Sequence, residues 1–150
     1  MEKFHIREAN ESDCDQLFIW ANDESVRQNA FDSNQINYSD HEHWFMTKLY
    51  SPNAKLFILT RHNKSIGQVR IDIHEHTGIV DYSIDKSYRG LGYGSQLIRT
   101  LETIIQQYDI PIDKIIGRVK YENLASIKAF EKAHFDAKRY DTYIEFQKAI

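Results

Sequence analysis

Several things are scarce or absent in this chain, and each absence narrows the reading. Cys14 is the only cysteine among 150 residues, so no internal disulfide can staple the fold. No apolar run approaches the roughly 20 residues that a bilayer-spanning helix needs. The opening segment MEKFHIREAN lacks the apolar core of a secretory signal. Positive charge is not in excess: 19 Lys and Arg face 22 Asp and Glu, for a formal net charge of −3. That balance argues against a nucleic-acid surface, but not against a phosphorylated small ligand held locally. No repeat, low-complexity segment or linker interrupts the chain. What remains is 41% hydrophobic and 27% charged residues, the range of a soluble globular protein. The length allows one domain with a sizeable core, spanning residues 1–150, and is too short for two ordinary ones. The expected location is the cytoplasm, with no membrane, no nucleic acid and no metal involved.

Along the chain, periodicity gives an alternating order of elements. Phe4–Arg7 reads as a first strand. Asn10, Ser12 and Asp13 supply N-cap chemistry for a helix through Leu17, Phe18, Trp20 and Ala21. Asn22-Asp23 interrupts it, and Glu24–Asn29 forms a further short helical turn. Ser39 and Glu42 have capping-box spacing for a helix that stops at Ser51-Pro52. Lys55–Thr60, Ser65–His74 and Ile79–Ile84 read as strands, with turns at His62-Asn63-Lys64 and at Thr77-Gly78. A helix carries Leu97, Leu101, Ile104 and Ile105 until Pro111 forces a break. Lys114–Lys120 is a strand, Asn123–Ala133 a helix, and Phe135–Phe146 one or two strands. The order β-α-α-β-β-β-α-β-α-β-β predicts an α/β domain whose sheet is mixed, mostly antiparallel and flanked by helices.

The chain is organised around DYSIDKSYRGLGYGSQLIRTL, residues 81–101. A strand runs into a turn holding Gly90, Gly92 and Gly94, and a helix follows at once. Glycines admit close backbone approach and left-handed conformations. The first turn of the helix aims unpaired N–H groups and the positive end of its dipole at that gap, which makes an anion site suited to phosphate. A glycine turn that merely caps a surface helix would look similar. A Walker loop is excluded, because no Lys-Ser or Lys-Thr follows the glycines; a dinucleotide fingerprint is excluded by spacing and position.

Arg89-Gly90-Leu91-Gly92-Tyr93-Gly94 resembles the Arg/Gln-x-x-Gly-x-Gly/Ala segment of the GNAT acetyltransferases. The second segment, Asn123 through Phe135, resembles that family's Asn-led helix, with Ser126 and Phe130 at two of its marked positions. The element order is the one the family implies, a single GNAT-like domain. The resemblance implies acetyl-CoA as cosubstrate. Its pyrophosphate would be wrapped by Arg89, Gly90, Leu91, Gly92, Tyr93, Gly94 and Ser95. Its pantetheine would run along Tyr82, Ser83 and Ile84, with Asn123, Ser126 and Phe130 beside it. Two positions depart from the pattern. His134 stands where the family has Gly, and Phe130 stands where a proton-donating Tyr is common.

The first fifty residues, with the Ile66–Asp72 segment, resemble the GNAT branch that acetylates nucleotide-linked 4-amino sugars in nonulosonic acid biosynthesis. That likeness implies a small-molecule amine acceptor, a sugar nucleotide, met by Asn22, Arg27, His41, Trp44, Gln68 and Arg70, and it allows a homodimer. Part of it, the Asn-Asp with Val-Arg, also occurs in acetyltransferases of ribosomal-protein N-termini, and a non-catalytic CoA-binding fold is the rival from another class. Taken singly, Trp20, Phe31, Trp44 and Phe45 read as core sooner than as pocket, and Arg27 as a surface ion pair. Acetyl transfer needs a neutral amine, a donor for the carbonyl oxygen and a proton for the leaving thiolate. Asp81 and Asp72 are the first candidates for the base, with His74 and Glu75 behind them; taken singly, Asp72 and Asp81 read as solvated strand faces sooner than as bases. Tyr82, Tyr121 and Tyr140 are the tyrosines that could replace the missing hydroxyl.

Overall fold

A computed structural model describes residues 3–150. Strand β1 (His5–Glu8) leads through a short 3-10 turn into three helices, α1 (Cys14–Ala21), α2 (Glu24–Asn29) and α3 (Tyr38–Leu49). Then come β2 (Ala54–Arg61), β3 (Lys64–His74), β4 (Thr77–Ile84), α4 (Tyr93–Gln107), β5 (Lys114–Lys120), α5 (Leu124–Lys132), β6 (Asp136–Arg139) and β7 (Tyr143–Ala149). The seven strands form one sheet in the order β1-β2-β3-β4-β5-β7-β6, antiparallel everywhere except between β4 and β5. This is the mixed α/β architecture the periodicity predicts.

Strand alternation sends the two faces of the sheet to different layers. Val69, Ile71 and Ile73 of β3 join Phe57, Leu59 and Val80 against Leu97, Leu101 and Ile104 of α4 and Phe130 of α5. Leu56 and Ile58 point the other way, into a second cluster with Leu17, Trp20 and Phe45 of α1 and α3. Helices α4 and α5 therefore cover one face, and α1 and α3 the other.

Four local details differ from the sequence reading. Asp23 accepts from the N–H groups of Ser25 and Val26, which makes Glu24–Asn29 a helix of its own. The cap of α3 is Asn37, whose side chain accepts from the Asp40 N–H; Ser39 already lies inside the helix. Thr77 and Gly78 belong to β4, and the turn before them is at Glu75, with φ +56°. Finally, His134 takes φ +64°, the left-handed conformation that glycine adopts most easily.

Candidate active site

The sheet opens where its one parallel pair ends. β4 and β5 are paired only through Thr77↔Lys114, Gly78↔Ile115 and Ile79↔Ile116. Beyond that point β5 follows β7 while β4 follows β3, so the two strands part. The β3–β4 register fixes which backbone groups face the gap. Asp85 N–H donates to the Ile66 carbonyl at 2.8 Å, which makes Gly67↔Ile84 a non-hydrogen-bonded pair. By alternation Ser83 and Asp81 exchange their backbone bonds with β3, and Val80, Tyr82 and Ile84 turn theirs toward the split. Ser83 thus differs from the expectation: its backbone is engaged with Gln68, and only its side chain reaches the cavity. That cavity, about 1110 Å³, runs through the split.

At one end of it lies the glycine loop. Gly90 and Gly92 have φ of +77° and +88°. Gly92 is the N-cap of α4 and offers no side chain, and no acidic residue stands in the first turn of the helix. The first N–H groups of a helix lack intrahelical partners, so those of α4 face the cavity beside Gly92, Gly94 and Ser95. This is an anion cradle. Arg89 frames it, with Nε donating to the Ile84 carbonyl at 2.9 Å and Nη2 to Asp23 at 2.9 Å. Burial alone would raise the Asp23 carboxyl; the hydrogen bonds from Arg89 and from the helix N–H groups outweigh it and hold the pKa down. Leu91 is exposed and does not line the cavity.

Tyr82 crosses from β4 to the helical layer. Its ring packs beneath Gly94, and its hydroxyl bonds to Ser126 Oγ at 3.0 Å. Burial pushes the phenol pKa above its ordinary value, the Ser126 contact opposes this, and the Asp81 charge adds to it. Tyr82 therefore keeps its proton throughout the neutral range. Asn123 caps α5 through the Ser126 N–H. Phe130 is 1% exposed, stacked on Phe146 and tipped against Gly117. Tyr121 donates to the Tyr140 carbonyl, and neither lines the cavity. Of the three tyrosines considered, Tyr82 alone does.

On the opposite face of the split the cavity is bounded by Trp44, Gln68, Arg70, Asp81 and Ser83. Arg70 lies over the Trp44 ring, with Cζ 5.1 Å from its centroid. Gln68 donates to Ser83 Oγ at 3.1 Å. Asp81 is 58% exposed, with Arg70 Nη1 at 3.7 Å.

Several expected roles change here. Asp72 lies outside the cavity lining, and its two oxygens accept from Lys48 at 2.8 Å and Arg70 at 2.9 Å. Burial would raise that carboxyl, but the two cations overcome the effect and lower it, so Asp72 is a poor base and serves to hold Arg70. His41 is 2% exposed and donates through Nε2 to the Cys14 carbonyl; burial lowers its pKa against that contact, so it supplies no cation. Asn22 also lies outside the lining: its amide clasps the backbone of Ile36 through both O and N. Arg27 reaches the cavity, yet its donors go to the carbonyls of Ala21, Asp32 and Asn34, where they hold the α2–α3 connection. Trp20 is core as expected, bonded through Nε1 to Asp85, whereas Phe31, also read as core, is 59% exposed and edges against Tyr143. The sequence reading missed Arg118, which lines the cavity from β5.

The model of the acetyltransferase (GNAT) domain matches residues 3–136. No curated protein matches the sequence. Among solved structures, the chain is similar to aminoglycoside acetyltransferase AAC(6')-Ib in complex with coenzyme A and kanamycin, with TM-score 0.81, 17% identity and coverage of 98% of this chain and 95% of that one. It is similar to spermidine N-acetyltransferase from Vibrio cholerae with CoA and spermine, with TM-score 0.84, 15% identity and coverage of 98% and 95%. The ribosomal alpha-N-protein acetyltransferase RimL, in complex with coenzyme A, gives TM-score 0.84, 16% identity and coverage of 100% and 96%. At these identities the likeness is one of fold.

Proposed function

The chain belongs to the acetyltransferase (GNAT) domain family, and on that premise we propose that it acetylates the 4-amino group of a nucleotide-linked amino-dideoxy sugar. It is an acetyl-CoA-dependent N-acetyltransferase. The uncapped start of α4 at Gly92 suits the pyrophosphate of the cosubstrate. The Val80 carbonyl and the backbone of Tyr82 suit the pantetheine amides, because the ladder between β4 and β5 ends at Ile79↔Ile116 and the parting of the strands leaves these groups without strand partners.

In the reaction the amine nitrogen attacks the thioester carbonyl, the carbon–sulfur bond breaks, and the acceptor nitrogen sheds its extra proton. Asp81 is the carboxylate in the lining nearest to Gln68 and Arg70, and receives that proton directly or through water. A sugar amine is less basic than a lysine, so a weak base suffices. The leaving thiolate takes a proton from Tyr82, and the tyrosinate regains one from solvent water, relayed through the Ser126 hydroxyl across their 3.0 Å contact. This pair fills the role that Phe130 cannot, and speaks against a non-catalytic fold.

The observation that carries the acceptor assignment is the wall of Trp44, Arg70, Gln68 and Ser83. It pairs an aromatic face and a guanidinium with an amide and a hydroxyl, the partners a sugar ring and its phosphates want. The carboxylates that would favour a peptide N-terminus are engaged: Asp23 caps α2 and holds Arg89, and Asp40 accepts from Asn37. The test is thiol release from acetyl-CoA with an amine panel. Turnover of a UDP-linked 4-amino sugar should exceed that of ribosomal-protein peptides by at least tenfold in kcat/KM. Efficient use of peptides with none of the sugar nucleotide would overturn the assignment.

A further inference from the structure

Four arginines line the cavity: Arg27, Arg70, Arg89 and Arg118. Each is fixed at Nε, to the Ala21 carbonyl at 2.7 Å, Asp72 at 2.9 Å, the Ile84 carbonyl at 2.9 Å and Glu145 at 3.0 Å. Their outer nitrogens differ. Those of Arg27 and Arg89 bond to Asp32, Asn34 and Asp23. Those of Arg118 make no hydrogen bond among the described residues, and Arg70 has only Asp81 at 3.7 Å.

We propose that Arg118 and Arg70 form the anion-recognising part of the acceptor site, so that the acceptor carries a phosphate group apart from its amine. The inference deepens the acceptor reading above and rests on it. Its first support is Glu145. This carboxylate is 8% exposed, directly opposite Arg118 in the β5–β7 register. Its second oxygen accepts from Gln147 at 2.7 Å. A buried carboxylate is costly unless paired. Held at both oxygens, it fixes the Arg118 guanidinium before any ligand arrives, which lowers the entropy lost on binding. Glu145 is thus a positioning residue, as Asp72 is for Arg70.

The second support is placement. Arg118 alternates with Gly117 and Val119, which face the Phe130 core. Arg70 alternates with Val69 and Ile71, which face the same core. Both arginines therefore lie on the other face of the sheet, on the two strands that flank β4. The third support is charge. Among the described residues six cations and two carboxylates line the cavity, and Asp23, Asp72 and Glu145 behind the lining pair three of the six, which leaves the site net positive in a chain whose formal net charge is −3. A polycation would meet like charge there, and a phosphate ester would not. Two preset guanidinium forks match phosphate oxygens better than a point charge does.

The test titrates UDP into protein saturated with CoA, which occupies the cofactor's own anion sites. UDP should bind saturably and more tightly than glutarate, a dicarboxylate. Arg118→Ala should weaken UDP binding at least tenfold while acetyl-CoA affinity stays within twofold. Because Arg118→Ala leaves Glu145 unpaired and can fail to fold, Arg118→Lys is measured beside it. It keeps a partner for Glu145 but loses the fork, and should weaken UDP at least threefold. Absence of saturable UDP binding, tighter glutarate binding, or wild-type UDP affinity in a folded Arg118→Lys protein would each overturn the proposal. Arg118-dependent UDP binding without acetylation of the amino sugar nucleotide would sustain the anion site and sink the sugar. Acetylation of that sugar with equal KM in wild type and Arg118→Lys would do the reverse.

Discussion

Replacing Phe130 by Tyr would restore the hydroxyl common in the family, and the geometry says it should do harm. The ring is 1% exposed, stacked on Phe146 at 5.0 Å and edge-on to Phe135 at 5.0 Å. Its tip faces β5: a β-carbon built on Gly117 would lie 2.3 Å from Phe130 Cζ and 2.7 Å from Cε1. A tyrosine hydroxyl extends from Cζ, toward the same backbone. Overpacking of this kind costs about 1–3 kcal/mol, and a buried hydroxyl without a partner costs about as much. The ring can shift to relieve part of each, so the expected loss is ~2 kcal/mol. For a domain of this size, that lowers Tm by roughly 4–8 °C. The assay is a thermal melt followed by circular dichroism, paired with thiol-release kinetics. Phe130→Tyr should melt lower, show no gain in kcat and fail to rescue Tyr82→Phe. An unchanged Tm together with a raised kcat, or rescue of Tyr82→Phe, would show that the space at Gly117 is open and that position 130 carries the donor.

Gly92→Val places a branched side chain at φ +88° beside the start of α4 and should weaken acetyl-CoA at least tenfold, about 1.4 kcal/mol, by calorimetric titration; normal binding by a folded variant would remove the loop from the pyrophosphate site. Tyr82→Phe should lower kcat by roughly tenfold to a hundredfold with little change in KM for acetyl-CoA. Because burial raises the Tyr82 pKa, the wild-type profile should keep its rate to alkaline pH beyond the ordinary tyrosine range, and a donor-dependent fall near neutrality would contradict the assignment. Burial would also raise the Asp13 carboxyl, but the two-pronged Arg7 contact, at 2.8 Å on each oxygen, and the Asn10 N–H overcome it and lower the pKa. Its contribution is therefore present above about pH 4 and is lost as pH falls through the lowered value. Asp13→Asn should lower Tm at pH 7 and flatten its acid decline; an unchanged acid slope would contradict this.

The sequence showed best what is encoded by neighbours in the chain. Alternation in Val69, Ile71 and Ile73 placed β3 and its buried face. Gly90 and Gly92 marked a turn that does require positive φ. Capping was less secure even at short range. The Ser39–Glu42 spacing also occurs inside a helix, and Asn37, two residues earlier, made the cap. The roles of charged side chains were hardest to see, because each depends on a partner that no local pattern names. Asp72 and Asp81 look alike on paper. Lys48, 24 residues away, helps to saturate the first, while the second stays 58% exposed at the cavity. Arg27 and His41 looked like cations for a ligand, but carbonyls and burial claim them. Arg118 carried no signal at all, since Glu145 meets it only through the β5–β7 register. The cofactor half of the site is therefore backbone geometry, which glycine and strand patterns disclose. The proposed acceptor half is side-chain pairing across distant strands, which no local pattern discloses, and the ends of Arg70 and Arg118 left over after that pairing are what the UDP titration tests.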